Sequence, residues 1–148
     1  MIRHATDDDM GAMLMLAEQM HAESDYRRFP FAIDKMARLF QALMDGQGVV
    51  LVAEQAGRVV GVMAGYCEES WFTPARVAGE YGVFVEPGAR GAALAAGLVR
   101  AFCAWAKEQG ADLIQVGVTT GVTTDRTAQL YERLGFRRTG IVFEFEGD

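Results

Sequence analysis

Apolar positions along the chain follow two rhythms: repeats of three and four residues, and nearly continuous β-branched runs. Residues 2–5, opening with Ile2, are a short strand candidate. Thr6-Asp7-Asp8-Asp9 then supplies a helix N-cap and acidic first-turn residues, which the positive end of a helix favours. Met10, Met13, Leu14, Ala17 and Met20 share one face of a first helix that ends within residues 21–24. Residues 24–30 read as loop. Met36, Leu39, Phe40, Leu43 and Met44 line a second helix, stopped by Asp45-Gly46-Gln47-Gly48. The runs 49–54 and 59–66 flank the turn Gln55-Ala56-Gly57-Arg58, which is the pattern of a hairpin. Residues 68–74 are a predicted loop and 76–85 a strand closed by Pro87-Gly88. Residues 90–109 form an Ala-rich helix with Leu94, Leu98, Phe102 and Trp105 along one face. Being apolar nearly all round, it is expected to lie against a sheet. A strand at 112–118, a polar loop at 119–124, a short helix at 125–134 stopped by Gly135, and a last strand at 136–145 complete the series.

The predicted order is β-α-α-β-β-β-α-β-α-β, a layered α/β (α+β) architecture on a mixed sheet. The unit from 76 to 118 is strand-helix-strand, so it implies a right-handed crossover and one parallel pair. A length of 148 residues with no repeat or linker is expected to form a single domain, 1–148. Hydrophobic residues make up 51% and charged residues 23%, which excludes a disordered chain. A formal net charge of −6 argues against a general nucleic-acid or anionic-membrane binder. Cys67 and Cys103 cannot build a disulfide framework. No apolar run reaches a membrane span, and the first residues lack the pattern of a signal peptide, so a cytoplasmic setting is expected.

Two segments carry candidate chemistry. In the first, residues 83–95, a strand enters a tight turn of small residues and opens a helix. Backbone N–H groups in such a turn can approach a phosphate, and Arg90 adds a guanidinium fork. The same small residues would equally serve close helix–sheet packing. GxGxxG and GxxxxGK[ST] are both absent, which counts against a Rossmann dinucleotide site and a P-loop. In the second segment, residues 124–136, Ala128, Tyr131 and Gly135 share a helical face. Tyr131 is there either a core residue or a phenol able to give a proton to a leaving group.

Taken together, the segments resemble the GNAT superfamily of N-acetyltransferases. The resemblance rests on Arg90-Gly91-Ala92-Ala93-Leu94-Ala95 after Val85-Glu86-Pro87. It rests also on Asp125-Arg126-Thr127-Ala128-Gln129-Leu130-Tyr131 with Gly135-Phe136, and on the opening Ile2-Arg3-His4-Ala5-Thr6. It covers nearly the whole chain, and the predicted element order agrees with it. It implies a GNAT-like acyltransferase fold with helices on both faces of the sheet. It also implies acetyl-CoA as cosubstrate, an amine acceptor (small molecule or peptide) and direct transfer in a ternary complex, with no metal. Residue by residue, backbone groups of Val83 and Val85 would hold the pantetheine arm, and Phe84 is a further cofactor-binding candidate. Arg90, Gly91, Ala92, Ala93, Leu94 and Ala95 would meet the pyrophosphate, and Asp125 would stand near the cofactor. Tyr131 would meet the departing thiolate.

The chain departs from the family pattern in three ways. Ala93 stands for a motif glycine and Asp125 for an asparagine. Only about ten residues follow Phe136, which leaves a shortened last strand region, with the sheet edge incomplete or completed by another protomer as in a homodimer. Ala93 and Asp125 keep an alternative open: a degenerate CoA-binding or assembly protein of the same fold, without turnover. An attacking amine must lose its proton. Glu80 is the first candidate base, then Glu68 and Glu69, with His21 and His4 suited by their ordinary pKa.

Overall fold

The structure is a computed structural model that describes residues 1–89 and 92–147. Among these residues five strands form one sheet in the order β1-β2-β3-β4-β5. They are β1 (Ile2–His4), β2 (Val49–Gln55), β3 (Arg58–Glu69), β4 (Arg76–Val85) and β5 (Leu113–Ile114). The first four pair antiparallel, and β5 joins β4 parallel. The expected crossover is therefore present. Among the described residues four α-helices pack on the two faces: α1 (Met10–Glu23), α2 (Ile33–Ala42), α3 (Ala92–Glu108) and α4 (Thr124–Arg133). The architecture is the mixed α/β layering that the hydrophobic pattern predicts. Among the described residues no helix is long and apolar enough to cross a membrane.

The alternation of β2 and β3 sorts side chains into two cores. Val49, Leu51 and Met63 face α3, where Leu98, Val99, Phe102 and Ala106 are almost wholly buried. Val50, Val52, Val62 and Phe84 face α1 and α2 and meet Met13, Leu16, Ala17, Phe40 and Leu43. Each large apolar side chain buried in this way contributes roughly 1.5–3 kcal/mol. On α1 the buried stripe adds Leu16, one position outside the predicted face. The hairpin joining β2 and β3 turns on Ala56 and Gly57, both at positive φ (53° and 75°), the backbone of a tight two-residue connection.

The N-terminal corner is fastened by charge. Arg3 donates to both Asp9 carboxylate oxygens at 2.8 and 3.0 Å and to Glu54 at 2.9 Å. Asp9 also accepts the Thr6 backbone N–H at 2.8 Å, which closes the capping box ahead of α1. The Arg3 guanidinium holds the Asp9 carboxyl down at about 2.

Two predicted strands differ in the structure. The expected 112–118 strand is reduced to Leu113–Ile114, because β4 bends away beyond Ala78 and leaves nothing to pair with. The expected last strand at 136–145 is not formed among the described residues. A two-residue β5 offers almost no edge for it, and Ile141, Val142, Phe143 and Phe145 are 74–94% exposed. Arg28 to Glu144 at 3.0 Å is an ion pair between this segment and the α1–α2 connection.

Candidate active site

The parting of β4 from β5 makes the site. Ala64 pairs with Gly82 and Gly65 with Glu80, so Tyr81 is an extra residue in β4, a β-bulge. A bulge bends its strand and re-aims the side chains beside it. Parallel pairing with β5 runs through Val77–Leu113 and Ala78–Ile114, followed by Gln115 N–H to Ala78 C=O at 2.9 Å. At the next donor the ladder changes partner: Gly117 N–H reaches the Glu80 carboxylate, 3.0 Å away, instead of a backbone carbonyl. A cleft of about 430 Å³ opens beyond that point. The β4 edge from Glu80 to Val85 lines one side, and residues 117–123 with α4 line the other.

The cleft reaches both faces of the sheet. Met20 of α1 lines it on one face, and Ala95 of α3 and Tyr131 of α4 line it on the other. The α1 end fits closely over Gly82, where an added Cβ would stand 3.2 Å from the Met20 methyl. The α1–α2 connection is pinned to the cleft rim by Asp25 N–H to Thr120 C=O at 2.8 Å. The end of β4 is anchored to β3 by Arg58, whose guanidinium donates to both Glu86 oxygens at 2.9 and 2.5 Å. That pairing holds the Glu86 carboxyl below its ordinary range.

Glu80 and Tyr131 meet at one peptide. Glu80 accepts the Gly117 N–H, and the Tyr131 hydroxyl lies 3.4 Å from the Gly117 carbonyl, to which it donates. Tyr131 is 6% exposed and packs against Phe136, ring centroids 5.8 Å apart. Burial raises the Glu80 carboxyl above its ordinary value, although the Gly117 N–H pulls the other way. Burial raises the Tyr131 phenol strongly, and the nearby Glu80 charge raises it further. The site therefore holds a carboxyl with increased basicity beside a phenol that keeps its proton.

The other sequence candidates are distributed unevenly. Val83, Phe84, Val85 and Ala95 line the cleft. Ala93 is exposed, while Leu94 packs against the α3-side core. Asp125 is exposed in the first turn of α4 and is not among the cleft-lining residues, whereas its neighbour Arg126 is. Arg90 and Gly91, together with the Ala92 side chain, lie outside the described residues. Glu68 and Glu69 are exposed at the far end of β3. The His21 ring lies 5.4 Å from that of Phe31, tilted by 41°, with its buried Nε2 unpartnered. Cys67 and Cys103 are half-buried free thiols. Sequence reasoning missed Gly117, Tyr81 and Arg126. Only the change of ladder partner reveals Gly117, and no local motif marks it.

The chain is 30% identical over 147 residues to an uncharacterised N-acetyltransferase of Methanocaldococcus jannaschii. The match takes in 95% of this chain and spans about 62% of that relative's length. Among solved structures, the fold resembles a ribosomal-protein-alanine N-acetyltransferase from Brucella melitensis. The TM-score is 0.80 at 22% identity, covering 95% of this chain and 86% of that one. It also resembles the aminoglycoside N-acetyltransferase AAC(6')-Iy, solved with CoA, with a TM-score of 0.80 at 16% identity, covering 99% of this chain and 93% of that one. The sequence profile of the acetyltransferase (GNAT) family matches residues 16–136. By that match, which takes in the parted strands and the Glu80–Gly117–Tyr131 cluster, the chain belongs to the GNAT family of acetyltransferases.

Proposed function

We propose that the protein transfers acetyl from acetyl-CoA directly to a primary amine, with both substrates bound at once. The observation that carries this reading is a cleft lined from both faces of the sheet. Ala95 of α3 and Tyr131 of α4 line it on one face and Met20 of α1 on the other, with Glu80 at the β4 edge. The residues fit the cosubstrate. The β4 edge at Val83 to Val85 suits an extended amide-bearing arm, and Ala95 leaves room beside the start of α3. Arg126 and Arg133 add positive charge at the cleft for an anionic nucleotide. Acetyl-CoA supplies the activated acyl carbon, a thioester.

In this reading Glu80 takes a proton from the amine, directly or through one water, and Tyr131 gives a proton to the departing sulfur. The two steps are coupled. The charge on ionised Glu80 helps hold the Tyr131 proton. Once Glu80 is neutralised by the amine's proton, that hold weakens, so the acid is released as the base is used. No cysteine is needed as nucleophile.

Calorimetric titration with acetyl-CoA tests the reading. Binding in the micromolar range (about −8 kcal/mol) is expected. Absence of binding up to millimolar concentration would favour a degenerate fold without turnover, the reading that Ala93 and Asp125 support.

A second copy of the chain is proposed at the short sheet edge. The supporting observation is the row of exposed apolar side chains at Ile141, Phe143 and Phe145. Sedimentation should then show a dimer, and a concentration-independent monomer would end that part of the proposal. The two free thiols agree with a reducing, cytoplasmic setting.

A further inference from the structure

The β4 bulge builds a second feature at the α1-side mouth of the cleft. Tyr81, the extra residue, lines the cleft and is 52% exposed. Its ring lies 5.3 Å from that of Tyr66, tilted by 59°. The Tyr66 ring lies close over the β4 backbone at Gly79. A Cβ there would come within 2.5 Å of the Tyr66 hydroxyl and 2.7 Å of Cζ, so glycine is what leaves the ring its place. Glu68 follows two residues along β3, on the same face as Tyr66. Burial raises the Tyr66 phenol above its ordinary value, and Glu68, Tyr81 and Glu80 act in the same direction. Two aromatic faces with the Glu68 carboxylate on the same side of the sheet, and one ring open to solvent, suit an organic cation.

The reacting nitrogen cannot be that cation, because it must be neutral to attack. Building on the acetyl-transfer reading, we infer that the acceptor carries a second, fixed positive charge, seated on the Tyr66–Tyr81 pair beside Glu68 while its reacting amine lies at Glu80. Glu80 is in register with Gly65, and Glu68 lies three residues further along β3. The step of three residues puts Glu80 on the α3 face of the sheet and Glu68 on the α1 face; at about 3.3 Å per residue the two positions are roughly 10 Å apart along the strand, and the acceptor reaches Glu80 by way of the cleft. An alkyl chain of about six carbons or more, entering the cleft from the α1 face, covers that span. The acceptor class is thus a diamine or a longer polycation, in preference to a monoamine of the same length.

The pair of probes is 1,6-diaminohexane and hexylamine, titrated calorimetrically into the full chain and into Glu68→Gln and Tyr81→Leu. Both substitutions are at exposed positions outside the cofactor-facing residues. The diamine is expected to bind about tenfold more tightly than the monoamine, and each substitution to reduce that advantage to about threefold or less. Equal affinities in the unmodified chain, failure of both amines to bind, or an advantage that survives both substitutions would each overturn the inference. Acetyl-CoA is titrated into the same samples. Its failure to bind would strike the transfer reading itself, whereas intact acetyl-CoA binding without diamine selectivity removes this inference alone.

Discussion

Replacing Glu80 by glutamine is expected to lower kcat/KM about 10²–10⁴-fold, the range a positioned general base contributes, with little change in acetyl-CoA affinity. The glutamine side chain keeps the shape, and its amide oxygen still accepts the Gly117 N–H that now meets Glu80 at 3.0 Å. The change therefore removes the base without removing the contact that holds β4 and residue 117 in place. Burial raises the Glu80 carboxyl above its ordinary value of 4.5. The acid limb of kcat/KM in the unmodified protein is therefore expected above the normal carboxylate range, and in Glu80→Gln that limb disappears. Stability moves the opposite way. A carboxyl whose folded pKa is raised binds its proton more tightly folded than unfolded. Its contribution is present below the unfolded value and is lost as pH rises through the folded one. Thermal unfolding of the two proteins across pH 4 to 8 should therefore show the unmodified chain losing stability relative to Glu80→Gln as pH rises. An unchanged kcat/KM in Glu80→Gln would remove Glu80 from the chemistry and direct attention to His21.

Tyr131→Phe carries the second large effect, a fall in kcat of about 10²-fold from loss of the proton donor. The phenyl ring retains the packing against Phe136, and only the 3.4 Å contact to the Gly117 carbonyl is lost. Acetyl-CoA affinity is expected to stay within about twofold, since a long, poorly placed hydrogen bond is worth little. Because burial and the Glu80 charge raise the Tyr131 phenol, it stays protonated well past the ordinary tyrosine range. The unmodified enzyme should consequently show no alkaline limb from this residue below about pH 10. An equal loss of kcat and acetyl-CoA affinity would mark Tyr131 as a structural residue whose hydroxyl matters only to the cleft wall.

Much of this is legible in the chain. β4 falls at Arg76–Val85, as its run between the predicted loop and Pro87 requires. The two-residue turn at Ala56-Gly57 announces its hairpin, and the Ala-rich stretch before Gly110 yields a helix buried by Leu98 and Phe102. Glu80 and Tyr131 stand out by residue type and place, and the structure brings both to Gly117.

What escapes the sequence depends on strand register. A bulge at Tyr81 has no local signature, because it arises from how β3 and β4 align over nine register pairs. Gly117 gains its role only because that bulge turns β4 away from β5 and a side chain replaces a backbone acceptor. The segment after Phe136 misleads for a related reason. Ile141, Phe143 and Phe145 alternate as a strand should, yet a strand needs an edge of matching length, and β5 presents two residues.

The most direct test of the account is a two-substrate initial-rate study that follows thiol release while acetyl-CoA and a diamine acceptor are varied together. Direct transfer in a cleft lined from both faces of the sheet predicts intersecting double-reciprocal lines and no acetylated protein by mass. Parallel lines with an acetylated residue on the protein, or no acceptor-dependent thiol release from any amine, would contradict it.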